Sequence, residues 1–137
     1  TDNRLHLCHV FTVDDLKYLH RGGRVSKTAA IAGSILGIKP LLHVDNEGHL
    51  IPVGKIRGRK QSIEKLVDMM CERMGNWDNS TVAVCHGDCL SDAEYAADLM
   101  RKKLGKKTTV HICYTGAVIG SHSGPGTLAL FFMGDQR

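Results

Sequence analysis

The sequence is poor in aromatic residues and has no long apolar run. One tryptophan, three tyrosines and three phenylalanines occur among 137 residues, and none of them alternates with the basic residues of segment 54–60. A protein that binds single-stranded nucleic acid by stacking needs such aromatic residues beside its cations. The longest apolar stretches, such as TLALFFM at 127–133, are far too short to cross a bilayer. The sequence therefore argues against a nucleic-acid-binding module and predicts no integral membrane segment.

Cysteine is present, but without the pattern of a disulfide framework or a zinc site. The five cysteines are an odd number and include no C-x-x-C pair. Cys85, His86 and Cys89 stand close together, yet their C-x3-C spacing has no second ligand pair at the distance of a zinc site. We therefore predict no metal and no cofactor. With no signal peptide, the cysteine count predicts a reducing, cytoplasmic location, where most thiols pack as small apolar side chains: Cys8, Cys71, Cys85 and Cys113.

Length and periodicity predict one α/β domain. The 42% hydrophobic and 23% charged composition of this chain is that of an ordinary globular protein. Helical patterns alternate with short apolar strands, which indicates a two-layer domain with a mixed β-sheet of about five or six strands covered by helices. The predicted strands are 5–13, 39–45, 49–56, 80–86, 108–115 and 127–132, and the predicted helices are 14–20, 27–36, 63–74 and 91–104.

Local signals set several boundaries of these elements. Asn46-Glu47-Gly48 lies between two strand patterns and predicts a β-hairpin. Thr12 with Asp15, and Ser91 with Glu94, have the spacing of capping boxes, which predicts that each pair opens a helix.

Two features are not explained by folding alone. Gly22-Gly23 precedes Arg24 and a helix whose surface is small and apolar, including Ala29, Ala30 and Gly33. Such a helix is typical either of ordinary close packing or of a smooth wall for a long apolar ligand or a neighbouring domain. The second feature is the loop 117–126, in which His122 stands among Gly120, Gly124, Pro125 and Gly126. Glycine permits close approach and proline stiffens the chain, so this loop is either a built site or a tight turn.

The basic residues are concentrated in two runs. Segment 54–60 holds Lys55, Arg57, Arg59 and Lys60, and segment 101–107 holds five more cations. The second run is interpreted as a solvated helix end, where cations favour the helix dipole. The first run interrupts a connection from a strand to a helix, which makes it the better candidate for a docking surface.

Four motifs resemble the C-terminal half of the DegV family of bacterial fatty-acid-binding proteins. They are D-D-L-x-Y-L-x-x-G-G-R at 14–24, I-K-P at 38–40, K-x-R-G-R-K at 55–60 and G-x-H-x-G-P-G at 120–126. The resemblance spans residues 5 to 133. It implies a protein of two domains, of which the N-terminal one is absent from these residues, and Thr1 in place of an initiator methionine fits a partial chain. The whole of 1–137 would then be the C-terminal domain.

The same resemblance implies the function and the residues that perform it. A long-chain fatty acid would lie in a cleft shared by the two domains, and a separate fatty-acid kinase would phosphorylate its carboxylate for phospholipid synthesis, so this chain would be a binding subunit and not an enzyme. Arg24 and His122 would bind the carboxylate, and Arg57 and Arg59 would dock the kinase. The pocket wall or loop would comprise Gly23, Ala29, Ala30, Gly33, Gly120, Gly124, Pro125 and Gly126.

Two other functions stay open at this point. The predicted fold resembles the substrate domain of dihydroxyacetone kinases, in which a histidine holds a small carbonyl substrate, although the sequence has no phosphate-binding P-loop. A basic nucleic-acid-binding module is the weaker alternative. Without its partner domain the isolated chain is also expected to cover its apolar face by forming a homodimer.

Overall fold

The computed structural model describes residues 2–27, 36–135 and 137, and within these residues the chain forms six strands and four helices. A short 3-10 turn at Arg4–His6 precedes the first strand. The strands are β1 (Leu7–Thr12), β2 (Ile38–Val44), β3 (Leu50–Arg57), β4 (Thr81–His86), β5 (Thr109–Tyr114) and β6 (Leu128–Met133). The helices are α1 (Lys17–Arg21), α2 (Arg59–Arg73), α3 (Leu90–Leu104) and α4 (Ala117–Ser123).

All six of these strands form one mixed sheet in the order β3-β2-β1-β6-β4-β5. The β4–β5 pair is parallel, whereas the other four pairs are antiparallel. The predicted α/β class and the strand number of five or six are thereby confirmed. The predicted hairpin at residues 46–48 is also confirmed, since it joins β2 to β3.

The main core lies between the sheet and the helices α2 and α3. The sequence spacing of Ile63, Leu66, Val67 and Met70 places all four on one side of α2, and each is at most 1% exposed. Alanines of α3 pack beside them against the inward residues of the strands, which alternate as the strand period requires. A smaller cluster on the opposite face of the sheet joins α1 to β1 and β2 through Phe11, Val13, Leu16, Leu19 and Leu42.

The topology gathers several chain segments at one end of the sheet. The registers place the last residues of β1, β3, β4 and β5 and the first residues of β2 and β6 at this end. The segments that follow or precede them therefore lie side by side: the turn after β1, the β3–α2 junction, the β4–α3 loop, and the connection from β5 through α4 to β6. This end is where the candidate side chains of the sequence analysis meet.

Both predicted capping boxes are wrong. The Thr12 hydroxyl donates to the carbonyl of Pro40 at 2.7 Å instead of capping a helix, because Thr12 is still part of β1. Asp15 caps a turn by accepting the Lys17 N–H at 2.8 Å. Helix α3 begins at Leu90, one residue earlier than predicted, with Cys89 at its N-cap position and no side-chain cap.

The predicted helix 27–36 lies almost entirely outside the described residues, at 28–35. Within the described part of the chain, every helix is too short or too polar to cross a membrane.

Candidate functional site

His122 lies on the last turn of helix α4 and not in an irregular loop. The sequence predicts a loop at 117–126, but Ala117–Ser123 is helical and only the following glycines turn the chain. The Nδ1 atom of His122 lies 2.7 Å from the carbonyl oxygen of Val118, one helical turn earlier. Because a carbonyl can only accept, Nδ1 carries a proton, and Nε2 is left for another partner.

The His122 ring packs directly on the backbone of Gly22. A Cβ atom built on Gly22 would overlap Cδ2 of His122 and would lie 3.2 Å from its Cγ. Gly22 has an ordinary helical backbone, with φ at −76°, so its glycine identity is required by this close approach and not by its backbone angles. The C-terminus of α1 and the C-terminal turn of α4 therefore meet at a point that admits no side chain.

Arg24 borders the same point. Its Nη1 atom donates a hydrogen bond to the carbonyl oxygen of Gly22, and the side chain is otherwise exposed. Arg24 and His122, which the sequence predicts as a pair of carboxylate ligands, thus both contact Gly22. Gly23 has φ at +71°, and no atom lies within 4 Å of the position that a Cβ would take there, so it serves the turn and does not contact the histidine.

The segment 124–127 after α4 makes two further close contacts. Gly124, with φ at +83°, ends the helix by donating to the Gly120 carbonyl, and its Cα faces the ring of Tyr18. Gly126 has φ at +81°, and a Cβ there would lie 2.5 Å from the carboxylate carbon of Asp14. Pro125 between them is exposed. These contacts fix the segment against α1 and the turn that follows β1.

A second loop pairs with this segment. The Gly87 N–H donates to the Thr127 carbonyl at 2.8 Å, and the Gly126 N–H donates to the Gly87 carbonyl at 2.7 Å. His86, which ends β4, is buried, and its ring packs on that of Tyr114 at a centroid distance of 4.4 Å. The loop after β4 is therefore hydrogen-bonded to the segment that follows α4.

Arg57 and Arg59, predicted together as docking residues, have different environments. Arg57 ends β3 and is exposed. Arg59 begins α2, and its side chain is only 20% exposed. Its Nε donates to Asp92 at 2.8 Å and its Nη2 donates to the Gly126 carbonyl at 2.6 Å. Arg59 therefore binds the segment 124–127 through the Gly126 carbonyl. A side chain that is freely exposed for docking would not make such contacts.

The cysteines and histidine of 85–89 do not form a metal-binding arrangement. The Cys89 N–H donates to Nδ1 of His86 at 3.2 Å, and the Cys89 thiol points to the Thr127 carbonyl. Burial raises the pKa of the Cys89 thiol, although the nearby guanidinium of Arg59 opposes this shift. The thiol is therefore neutral at neutral pH and acts as a packing and hydrogen-bonding group.

Asp45, Glu47 and His49 in the β2–β3 hairpin form a group with metal-ligand chemistry in the described part of the chain. Asp45 already accepts the backbone N–H groups of Glu47 at 3.0 Å and His49 at 2.8 Å. This arrangement is an Asx turn. Asp45 is therefore accounted for by its role in forming the hairpin turn.

The predicted pocket wall is only partly described. Ala29, Ala30 and Gly33 lie outside the described residues. Two surface grooves of about 510 and 340 Å³ lie at the far end of the sheet from His122, beside the hairpin and before β4 respectively.

Sequence reasoning missed the residues that hold the site from the inside. The sequence-based prediction of the site includes Gly23 but not Gly22, Asp14 or Asp92. The signal for Gly22 and Asp14 was present, because both lie within the D-D-L-x-Y-L-x-x-G-G-R motif. No local pattern marks Asp92, which becomes relevant only through its contact with Arg59.

The sequence of this chain is similar to the sequences of one protein family. A sequence model of the family described as "Uncharacterised protein, DegV family" matches residues 1–135. The DegV domain-containing protein CPE0026 of Clostridium perfringens is 47% identical over 136 residues, which are 99% of this chain and 46% of that protein. The chain thus spans about half the length of the curated relatives it matches.

Solved structures share the fold. The protein SAG1342 of Streptococcus agalactiae, described as a fatty acid binding DegV family protein, has a TM-score of 0.84 and 30% identity, over 98% of this chain and 47% of that one. The Fak B3 protein of the fatty acid kinase of Streptococcus pneumoniae, loaded with linoleic acid, has a TM-score of 0.87 over 98% of this chain and 47% of that one. At 16% identity the latter shows the common fold alone.

Proposed function

Because this chain belongs to the DegV family, we propose that it binds the carboxylate end of a long-chain fatty acid in a cleft shared with a second domain. Arg24 and His122 bind the carboxylate in this proposal. The observation that carries it is that both side chains contact Gly22, His122 through its ring and Arg24 through its guanidinium.

The chemistry of the pair suits a carboxylate. A carboxylate that leaves water must be paired or hydrogen-bonded, and an arginine with an imidazole supplies charged donors from two directions. Nδ1 of His122 is occupied by Val118, so Nε2 is the atom that would reach the ligand. Two donors also leave part of the carboxylate accessible for a later chemical step.

The surroundings of His122 offer apolar surface for a partner. Tyr114, Val118 and Ile119 are 71%, 73% and 64% exposed, although all three are large and apolar. Exposed apolar groups of this kind mark an interaction surface. We assign them to contact with the acyl chain or with the second domain, since the relatives are about twice as long as this chain. Burying an acyl chain stabilises the complex by about 0.8 kcal/mol for each methylene.

The finer part of the proposal is presentation of the bound fatty acid to a fatty-acid kinase for phospholipid synthesis, with catalysis in that partner. The exposed Arg57, at the same end of the sheet as His122, is the docking residue that we assign to this chain. We place the protein in the cytoplasm, which is supported by its five free cysteines. A homodimer of the isolated chain remains our expectation for the uncovered apolar surface.

The test uses the two-domain protein that this proposal requires, in which the chain is joined to its second domain. Lipids that co-purify with it are identified by mass spectrometry, and the affinity of a fluorescent fatty acid is measured for the wild type and for His122→Ala. We expect a bound long-chain fatty acid, and a loss of affinity of about five- to a hundredfold in the variant, because a buried carboxylate loses one donor. A wild-type protein that neither carries nor binds fatty acids would overturn the proposal.

A further inference from the structure

The guanidinium of Arg59 connects four segments of the chain. It donates to Asp92 on α3 at 2.8 Å and to the Gly126 carbonyl at 2.6 Å. A longer contact of 3.6 Å reaches the Cys89 thiol at the start of α3. Its Nη1 atom is buried and faces the Asp14 carboxylate, in the turn after β1, at 3.7 Å. The fork of one side chain thus joins α2, α3, the segment 124–127 and the turn after β1.

These contacts converge on the segment that ends the helix of His122. Gly126 is held from one side by the Arg59 donor and from the other by the Asp14 carboxylate, against which its Cα is pressed. Its own N–H is bound to Gly87 at 2.7 Å. Two residues earlier, Gly124 closes α4, and its carbonyl accepts the Thr127 hydroxyl at 2.7 Å. A shift of Gly126 would therefore be transmitted to the end of α4, on which His122 sits.

From this geometry we infer that Arg59 is a positioning residue for His122: it fixes the segment 124–127 and so sets the distance between the His122 ring and Gly22. Arg59 does not touch the ligand itself. Arg57, two residues earlier, differs from it, because Arg57 is exposed and makes none of these contacts. This inference rests on the proposed function in one respect only, the choice of a fatty acid as the ligand in the binding measurement below.

The shape of the guanidinium matters here as much as its charge. Nε and Nη2 donate simultaneously to partners on different segments, in directions fixed by the rigid planar fork. The compact ammonium group of a lysine has no such fixed fork. Asp14 also has a second cation, Lys39 at 2.9 Å, so local charge balance alone does not require the fork. Arg59→Lys, which keeps the charge and removes the fork, is therefore the informative variant.

Two measurements test the inference in the two-domain protein. The first is the position of the His122 side-chain and Gly126 amide resonances by NMR, without ligand. The second is the affinity for a fluorescent fatty acid. The variants are Arg59→Lys, Arg59→Gln and Asp92→Asn, with Arg101→Gln as a matched control. Arg101 is an exposed arginine paired only to Asp98, at 3.0 Å, among the described contacts.

We expect both Arg59 variants to stay folded, to shift the His122 and Gly126 resonances, and to bind fatty acid roughly five- to twentyfold more weakly. Asp92→Asn should shift the same resonances less, and Arg101→Gln should match the wild type. If Arg59→Gln does not fold, Arg59→Lys decides the question.

Unchanged His122 resonances in Arg59→Lys would overturn the inference. So would equal losses of affinity in Arg59→Gln and Arg101→Gln, because a general charge effect would then explain both. If the wild type binds no fatty acid, the proposed function fails, while the resonance shifts still decide whether Arg59 positions His122.

Discussion

Gly22 and His122 are in direct contact, the backbone of one against the ring edge of the other. This contact joins a segment near the start of the chain to one near its end and leaves no room for a methyl group. Since φ at Gly22 is −76°, an alanine there would be acceptable to the backbone and would act only through the histidine.

We therefore expect Gly22→Ala to displace His122 and to weaken fatty-acid binding by the two-domain protein about tenfold, since overpacking a fixed contact typically costs about 1–3 kcal/mol. Gly116→Ala is the control, because φ is −58° there and no atom lies within 4 Å of the added Cβ. In a His122→Ala background, Gly22→Ala should cost little more, because the clash is gone. Additive losses would contradict the assignment.

Arg57 predicts a separation of docking from binding. In the two-domain protein, Arg57→Glu should slow phosphorylation of the bound fatty acid by the kinase while leaving fatty-acid affinity within about twofold of the wild type. A charge at the rim of an interface mainly sets the association rate and its salt dependence. For the wild type and Arg57→Glu, the rate of phosphorylation is measured at low and at high salt, and fatty-acid affinity is measured directly. An equal loss of fatty-acid affinity would place Arg57 in the pocket.

His9 predicts loss of stability in mild acid. Its ring packs on Phe131 at 5.0 Å, and its Nε2 is buried without a hydrogen-bond partner in the described part of the chain. Burial, with a contribution from Arg137, lowers the pKa of His9 below its usual 6.5. As the pH falls, the unfolded state therefore takes up the proton at a higher pH than the folded state does. The stability present above pH 6.5 is lost as the pH falls from 6.5 through the pKa of the folded state.

Urea unfolding at about pH 7.5 and about pH 5.5 measures this loss. His9→Phe should reduce it, while the exposed His111→Phe should retain the full loss. The remaining effect in His9→Phe is expected from His43, whose pKa is also lowered by burial. An acid loss that is the same in all three proteins would refute the role of His9.

Cys85 and Cys113 predict unequal thiol reactivity. They are paired in register on the parallel strands β4 and β5, and Cys113 is exposed. Burial and a hydrogen bond with Cys113 raise the pKa of Cys85 from 9.0 to about 12. This shift lowers the thiolate fraction of Cys85 at mildly alkaline pH.

Iodoacetamide labelling followed by peptide mass spectrometry should therefore find Cys113 modified well before Cys85. Cys113→Ala should accelerate labelling of Cys85, because it removes one cause of the raised pKa. Comparable rates for the two thiols in the wild type would contradict this account.

The sequence by itself determined the class of fold and most of its elements. The helical spacing in α2, the apolar alternation of the strands and the turn residues at 46–48 are local patterns, and local backbone preferences with one-sided burial are enough to produce them. The family motifs also selected His122, Arg24 and the glycines around them, because those residue types are unusual at that spacing.

Only the tertiary structure decided which of two similar neighbouring residues makes the contacts of the candidate site. Gly22 and Gly23 are adjacent, yet one is pressed against His122 and the other is open. Arg57 and Arg59 lie in one basic run, yet the first ends an exposed strand and the second reaches Asp92 and Gly126. These differences come from contacts between segments far apart in the chain, and local propensity carries no information about such contacts, because burial and hydrogen bonding at a residue are set by whatever the fold brings beside it.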